Sequence, residues 1–117
     1  METVLDAEVV SQLRALAGAG SPDLLERLQA AYARDTPDRL RALRTAVATG
    51  DDDAVAFSVH TLKGSAANLG ARQVVAALER IEGTRDTGGA ALEPLLAALE
   101  RHAADAQAEL ALIAREG

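Results

Sequence analysis

The sequence predicts an all-α fold: an antiparallel four-helix bundle with a short additional N-terminal helix, forming one domain over residues 1–117. Three observations lead there. The chain holds 27 alanines among its 117 residues, and alanine is the best helix former. Its only aromatics are Tyr32 and Phe57, and the β-branched and aromatic material of strands is sparse. Apolar residues recur three and four positions apart between glycine and proline breaks, the period of a helix buried on one face. A chain of this length can bury a core without disulfides, and it has no cysteine with which to make one.

The elements follow in order. Asp6 is an N-cap for a first helix in which Val9 or Val10, Leu13 and Leu16 repeat at helical spacing, and Gly18-Ala19-Gly20 ends it. Ser21-Pro22-Asp23 then reads as a helix start, with serine as the cap and proline at the first helical position. Its stripe runs through Leu24, Leu25, Leu28, Ala31 and Tyr32, passes Thr36-Pro37, and resumes at Leu40, Leu43 and Val47. That continuity predicts one helix kinked at Pro37 and capped by Gly50. Asp51-Asp52-Asp53 opens the next helix, its acids complementing the helix dipole. Val55, Val59, Leu62, Ala66 and Leu69 form its seam, and Gly70 ends it. A further helix turns Val74, Val75, Leu78 and Ile81 inward. Gly83 to Gly89 reads as a polar loop, and a final helix runs from about Ala90 to Arg115, with Pro94 near its first turn.

Charge and hydropathy exclude several classes. The net charge of −6 argues against nucleic acid or an acidic membrane surface as partner. No apolar run approaches the roughly 20 residues that cross a bilayer. The opening METVLDAEVV lacks the basic-then-apolar layout of a signal peptide. These features predict a soluble protein of the cytoplasm. No glycine-rich phosphate loop, His-Glu-x-x-His or nucleophile elbow is present, so the chain alone is neither a kinase nor a recognisable hydrolase.

The informative stretch is His60-Thr61-Leu62-Lys63-Gly64-Ser65-Ala66-Ala67-Asn68-Leu69-Gly70. With Val59 and Leu62 in the core, His60 turns about 100° away to the solvent edge. Lys63 and Gly64 lie one turn on, beside it. A glycine inside a helix costs about 0.5–1 kcal/mol relative to alanine, so in an alanine-rich chain Gly64 points to close approach by another molecule. Lys63 is the only lysine against eleven arginines, and a compact ammonium on a flexible stem suits a transient phosphate. His102, in Glu-Arg-His-Ala-Ala-Asp, lacks that company and reads as a solvated face residue. Asp51–Asp53 reads as a helix cap and first turn rather than a metal site. Phe57, one turn before His60, reads as partly buried and partly a docking contact.

This segment resembles the signature of histidine phosphotransfer (HPt) domains of two-component phosphorelays, roughly His-x-Leu-Lys-Gly-Ser followed by a Gly-Ala pair, here near Gly70-Ala71. Gly50-Asp51 and Leu78 to Glu82 are similar to the family too. The resemblance implies a phosphocarrier without kinase activity of its own. His60 would accept a phosphoryl group and exchange it with an aspartate of a receiver domain, in a response regulator or a hybrid histidine kinase. Lys63 would orient the phosphate. Gly64, Phe57, Ala67 and Glu82 would meet the partner, with Glu82 also a candidate to hydrogen-bond the other imidazole nitrogen. No cofactor of its own is implied, Mg²⁺ being supplied by the receiver, and the carrier would be a monomer. Two other readings stand beside this one: a structural or adaptor bundle with a degenerate motif, and the phosphotransfer domain of a chemotaxis-type kinase.

Overall fold

The computed structural model describes residues 4–84 and 89–116. Among them every regular element is a helix: α1 (Ala7–Gly18), α2 (Leu24–Thr49), α3 (Asp52–Leu69), α4 (Arg72–Thr84) and α5 (Gly89–Glu116). The four longer helices close a ring, α2 packing on α3 and α5, and α4 packing on α3 and α5, while the short α1 lies against α2 and α3. The core is aliphatic. Leu43, Val59, Leu78, Ile81 and Leu99 are wholly buried, and alanines such as Ala46, Ala66 and Ala106 let the helices approach closely. No described helix is long and apolar enough to cross a membrane.

The breaks between helices are chemical. Asp6 accepts from the Glu8 amide at 2.8 Å and starts α1. Asp51 accepts from the Ala54 amide at 3.1 Å and starts α3. Gly50 and Gly70 end α2 and α3 in the left-handed conformation, with φ of 69° and 72°. In each case the next residue's amide turns back to the last turn, Asp51 to the Ala46 carbonyl at 3.0 Å and Ala71 to the Ala66 carbonyl at 2.9 Å. These two-residue links fold α3 back on α2 and α4 back on α3.

Three expectations are corrected. Ser21 does not cap α2: the Leu24 amide donates to the Ser21 carbonyl at 3.0 Å, and Asp23 has φ −96° and ψ 8°. Ser21 to Leu24 is thus a β-turn of type I form, with Pro22 at the position its fixed φ favours, and the helix begins after it. The loop expected from Gly83 to Gly89 is shorter. Gly83 and Thr84 still belong to α4, Gly89 opens α5, and the remainder, 85–88, lies outside the described residues. Val75 is only half-buried, unlike Val74, Leu78 and Ile81. By contrast α2 does run as one helix through Pro37.

Arg44 joins α2 to α5 through two forks. Its guanidinium donates to both Glu100 oxygens at 2.6 and 2.8 Å and to both Glu93 oxygens at 2.9 and 3.1 Å. The hydrogen bonds from Arg44 hold the Glu100 carboxyl below its usual range, against a smaller opposing effect of burial. A carboxyl whose pKa is lower when folded stabilises above its unfolded pKa, and that contribution is lost as pH falls through the folded value. The clamp should therefore weaken on acidification below about pH 4.5, the ordinary value for glutamate. Because the groups are over a third exposed, the clamp is worth about 1 kcal/mol or less. Denaturant melts at neutral and acid pH should show Arg44→Met less stable than wild type at pH 7, with the difference shrinking toward pH 3.

At the other end of the molecule, the chain entering α1 crosses the α3–α4 turn. The Asp6 amide donates to the Gly70 carbonyl at 2.8 Å, and Asp6 pairs with Arg72 at 3.2 Å. A Cβ on Gly70 would stand 2.8 Å from Asp6 Cβ and 2.9 Å from Val9 Cβ, and both are stem atoms that cannot swing aside. Gly70→Ala should therefore lower stability by about 2 kcal/mol or more, combining left-handed strain with the clash, as read from a denaturant titration.

Candidate functional site

One stripe of α3 is buried: Val55, Ser58, Val59, Leu62, Ala66 and Leu69. At 100° per residue, that stripe determines what the opposite side of the helix carries. Asp53, Phe57, His60, Gly64, Ala67 and Asn68 are all exposed, and they share an arc of about 100°. His60 sits toward one side of it, between Ala67 and the Asp53–Gly64 line. Its imidazole is therefore presented by a rigid, fully packed helix and not by a loop or cleft.

The neighbours of His60 are sparse on one side and charged on the other. A Cβ built on Gly64 meets nothing within 4 Å. The glycine is thus not required by packing, and its φ is not left-handed. The space it leaves lies one turn from the ring. Lys63, half-buried at the edge of the face, reaches across to α4, where its Nζ stands 3.2 Å from Glu82 Oε1.

The other site residues are distributed as follows. Glu82 does lie across from the His60 turn, as the tight link at Gly70 predicts, but its bond goes to Lys63. Among the described residues no hydrogen bond joins it to the imidazole. An ammonium a turn away is the stronger partner for a carboxylate than a neutral ring nitrogen. Phe57 is 72% exposed, so its expected mixed burial is corrected: the ring stands on the surface beside His60. Ala67 continues the bare strip beyond Gly64 and borders a groove shared with Val9, Val75 and Glu79. His102 is corrected too. It is half-buried, and its Nδ1 is shielded from solvent with no partner among the described residues. Of the two imidazoles, His60 is thus the accessible one. Asp51 is occupied as the α3 cap, and no cluster of three metal-ligating side chains occurs among the described residues. Asp53 and Asn68 were not singled out from sequence, although counting helical angles from the buried stripe would have placed both on the His60 face.

Chemically this is a nucleophile on a post. An imidazole can attack an electrophile through its unprotonated nitrogen. The Lys63 ammonium lies one turn from it, paired with Glu82, and a Cβ at Gly64 would meet no atom within 4 Å.

Comparison with known proteins gives a family match and a fold match. The family model for the Hpt domain matches residues 12–112. Among solved structures, the crystal structure of histidine-containing phosphotransfer protein B from Pseudomonas aeruginosa PAO1 superimposes with a TM-score of 0.80. The match covers 100% of this chain and 99% of that one at 22% sequence identity, a likeness of fold. Comparison with curated protein sequences gives no match.

The open space at Gly64 yields a stability prediction. Gly64→Ala adds a methyl that meets no neighbour and removes the helix penalty of glycine, so the bundle should gain up to about 1 kcal/mol. A fall in melting temperature would show that the glycine serves the fold instead.

Proposed function

The chain belongs to the Hpt domain family, and from that premise we propose that it carries a phosphoryl group on His60 and exchanges it with the aspartate of a receiver domain. In this reading the antiparallel bundle led by α1 is a monomeric cytoplasmic carrier within a phosphorelay. It has no kinase activity of its own. The observation that carries the reading is the combination on α3 of an exposed imidazole, a lysine three residues on, and a glycine with nothing beside it.

The step balances simply. The unprotonated nitrogen of His60 attacks the phosphorus of an aspartyl phosphate. An N–P bond forms as the P–O bond breaks, and the carboxylate leaves with the electron pair. The imidazolium so formed releases its remaining ring proton to water. Reversal returns the phosphoryl group to an aspartate. In phosphoryl transfer most of the catalysis is positioning and charge neutralisation, and Mg²⁺ held by the receiver would supply much of that neutralisation. This chain supplies the rest: a nucleophile held rigidly by the buried stripe of α3, the Lys63 ammonium at the phosphate, and room for the receiver's loops over Gly64. Phe57 and Ala67 provide apolar contact on either side along the helix.

The test is phosphoryl uptake from a phosphorylated receiver domain, with the acid-labile label mapped by mass spectrometry. Label should appear on His60 and be absent from His60→Gln. Lys63→Ala should transfer about tenfold more slowly, the scale of a lost charge-assisted hydrogen bond, while its stability changes by no more than about 0.5 kcal/mol. Label on His102, or label persisting in His60→Gln, would overturn the proposal.

A further inference from the structure

Lys63 is the chain's sole lysine, and its ammonium already has a partner. Nζ stands 3.2 Å from Glu82 Oε1, with the two side chains 34% and 44% exposed. The pair is partly shielded, so the interaction is felt, and open enough that either member can change partner. His60 precedes Lys63 by one turn on the same helix, so the same ammonium can reach a phosphoryl group on the ring. A phosphoryl group on a side chain brings roughly −1.5 to −2 charge at neutral pH. One compact cation cannot neutralise both it and a carboxylate.

We infer that Glu82 is a positioning residue that acts through Lys63: it holds the ammonium while His60 is bare and competes for it once His60 is phosphorylated. The inference rests on the phosphocarrier reading above. Two effects of the same sign follow from the geometry. In the loaded protein Lys63 is shared or drawn away from Glu82, which weakens a contact that the bare protein keeps whole. The Glu82 carboxylate, no longer neutralised, then stands near a second anion. Both raise the free energy of the phosphorylated form relative to the bare one. Glu82 thus keeps the phosphoryl group loosely held and biases the carrier toward handing it on. No other ion pair engages Lys63 among the described residues, so the exchange is between these two acceptors.

The experiment needs no partner protein. Phosphoramidate serves as phosphoryl donor in an ammonium buffer: a His60 nitrogen attacks phosphorus, the P–N bond to the leaving ammonia breaks, and the ring proton passes to that ammonia to give ammonium. The equilibrium ratio of phosphorylated to bare protein is read by ³¹P NMR for wild type, Glu82→Gln, Lys63→Ala and the double variant. Glu82→Gln should raise the ratio about two- to fivefold, the scale of one partly exposed ion pair, with the melting temperature lowered by no more than the few degrees which that one pair accounts for. In the Lys63→Ala background the same substitution should have less than half that effect. A merely structural role would move the melting temperature and leave the ratio alone. The inference is overturned by an unchanged or lowered ratio in Glu82→Gln, or by an equal rise in both backgrounds, which would mean that Glu82 acts without Lys63. Wild-type protein that takes no phosphoryl group on His60 under any of these conditions would instead remove the phosphocarrier reading itself.

Discussion

Burial of a single stripe on α3 is the constraint on which the rest of this molecule depends. Val55, Val59, Leu62, Ala66 and Leu69 are each at most 4% exposed, and they are held between α2 on one side and α4 on the other. Each buried aliphatic side chain is worth on the order of 1.5–3 kcal/mol. Rotating α3 by one residue's worth of turn would expose several of them and bury a histidine without a partner. The helix therefore has one orientation, and His60 points outward because the seam points inward. No separate device is needed to display the nucleophile.

The remaining helices divide between holding that orientation and furnishing the site. Gly50 and Gly70 stop α2 and α3 abruptly, so the links are too short to let the neighbours slide. Arg44 locks α2 to α5, away from the reactive face. The entry to α1 crosses Gly70 closely enough to forbid a side chain there. From α4, Glu82 reaches the site by its contact with Lys63. The result is a surface, not a pocket: an imidazole, one ammonium already paired, and a cleared strip. Such a surface can position a phosphoryl group but leaves most of the charge neutralisation in the transition state to whatever docks on it.

How legible this was from sequence depended on the kind of signal. The seam of α3 could be read because its aliphatic spacing admits one buried face, and the glycine and aspartate breaks at 50–51 fall where backbone chemistry demands them. The start of α2 was misplaced because Ser21-Pro22-Asp23 suits a turn as well as a cap, and only the carbonyl of Ser21 decides between them. Phe57 was expected to be mixed in burial, although its angle from Val59 and Leu62 already sets it on the open side. Glu82 was brought to the right place but joined to the wrong partner. Sequence spacing gives the level of a residue on a neighbouring helix, whereas the choice between a ring nitrogen and an ammonium is made by side-chain reach and charge. His102 shows the converse: its half-burial arises from packing between helices that its local sequence does not report.

The central claim is that the bare face of α3 is where a receiver domain meets this protein. Amide chemical-shift mapping tests it most directly: the isotope-labelled protein is titrated with an unlabelled receiver domain. The account predicts that the largest perturbations cluster at Asp53, Phe57, His60, Gly64, Ala67 and Asn68, with Glu82 as the chief responder on α4. Perturbations centred on the α2–α5 seam around Arg44, or on α1, with the α3 face unaffected, would contradict it.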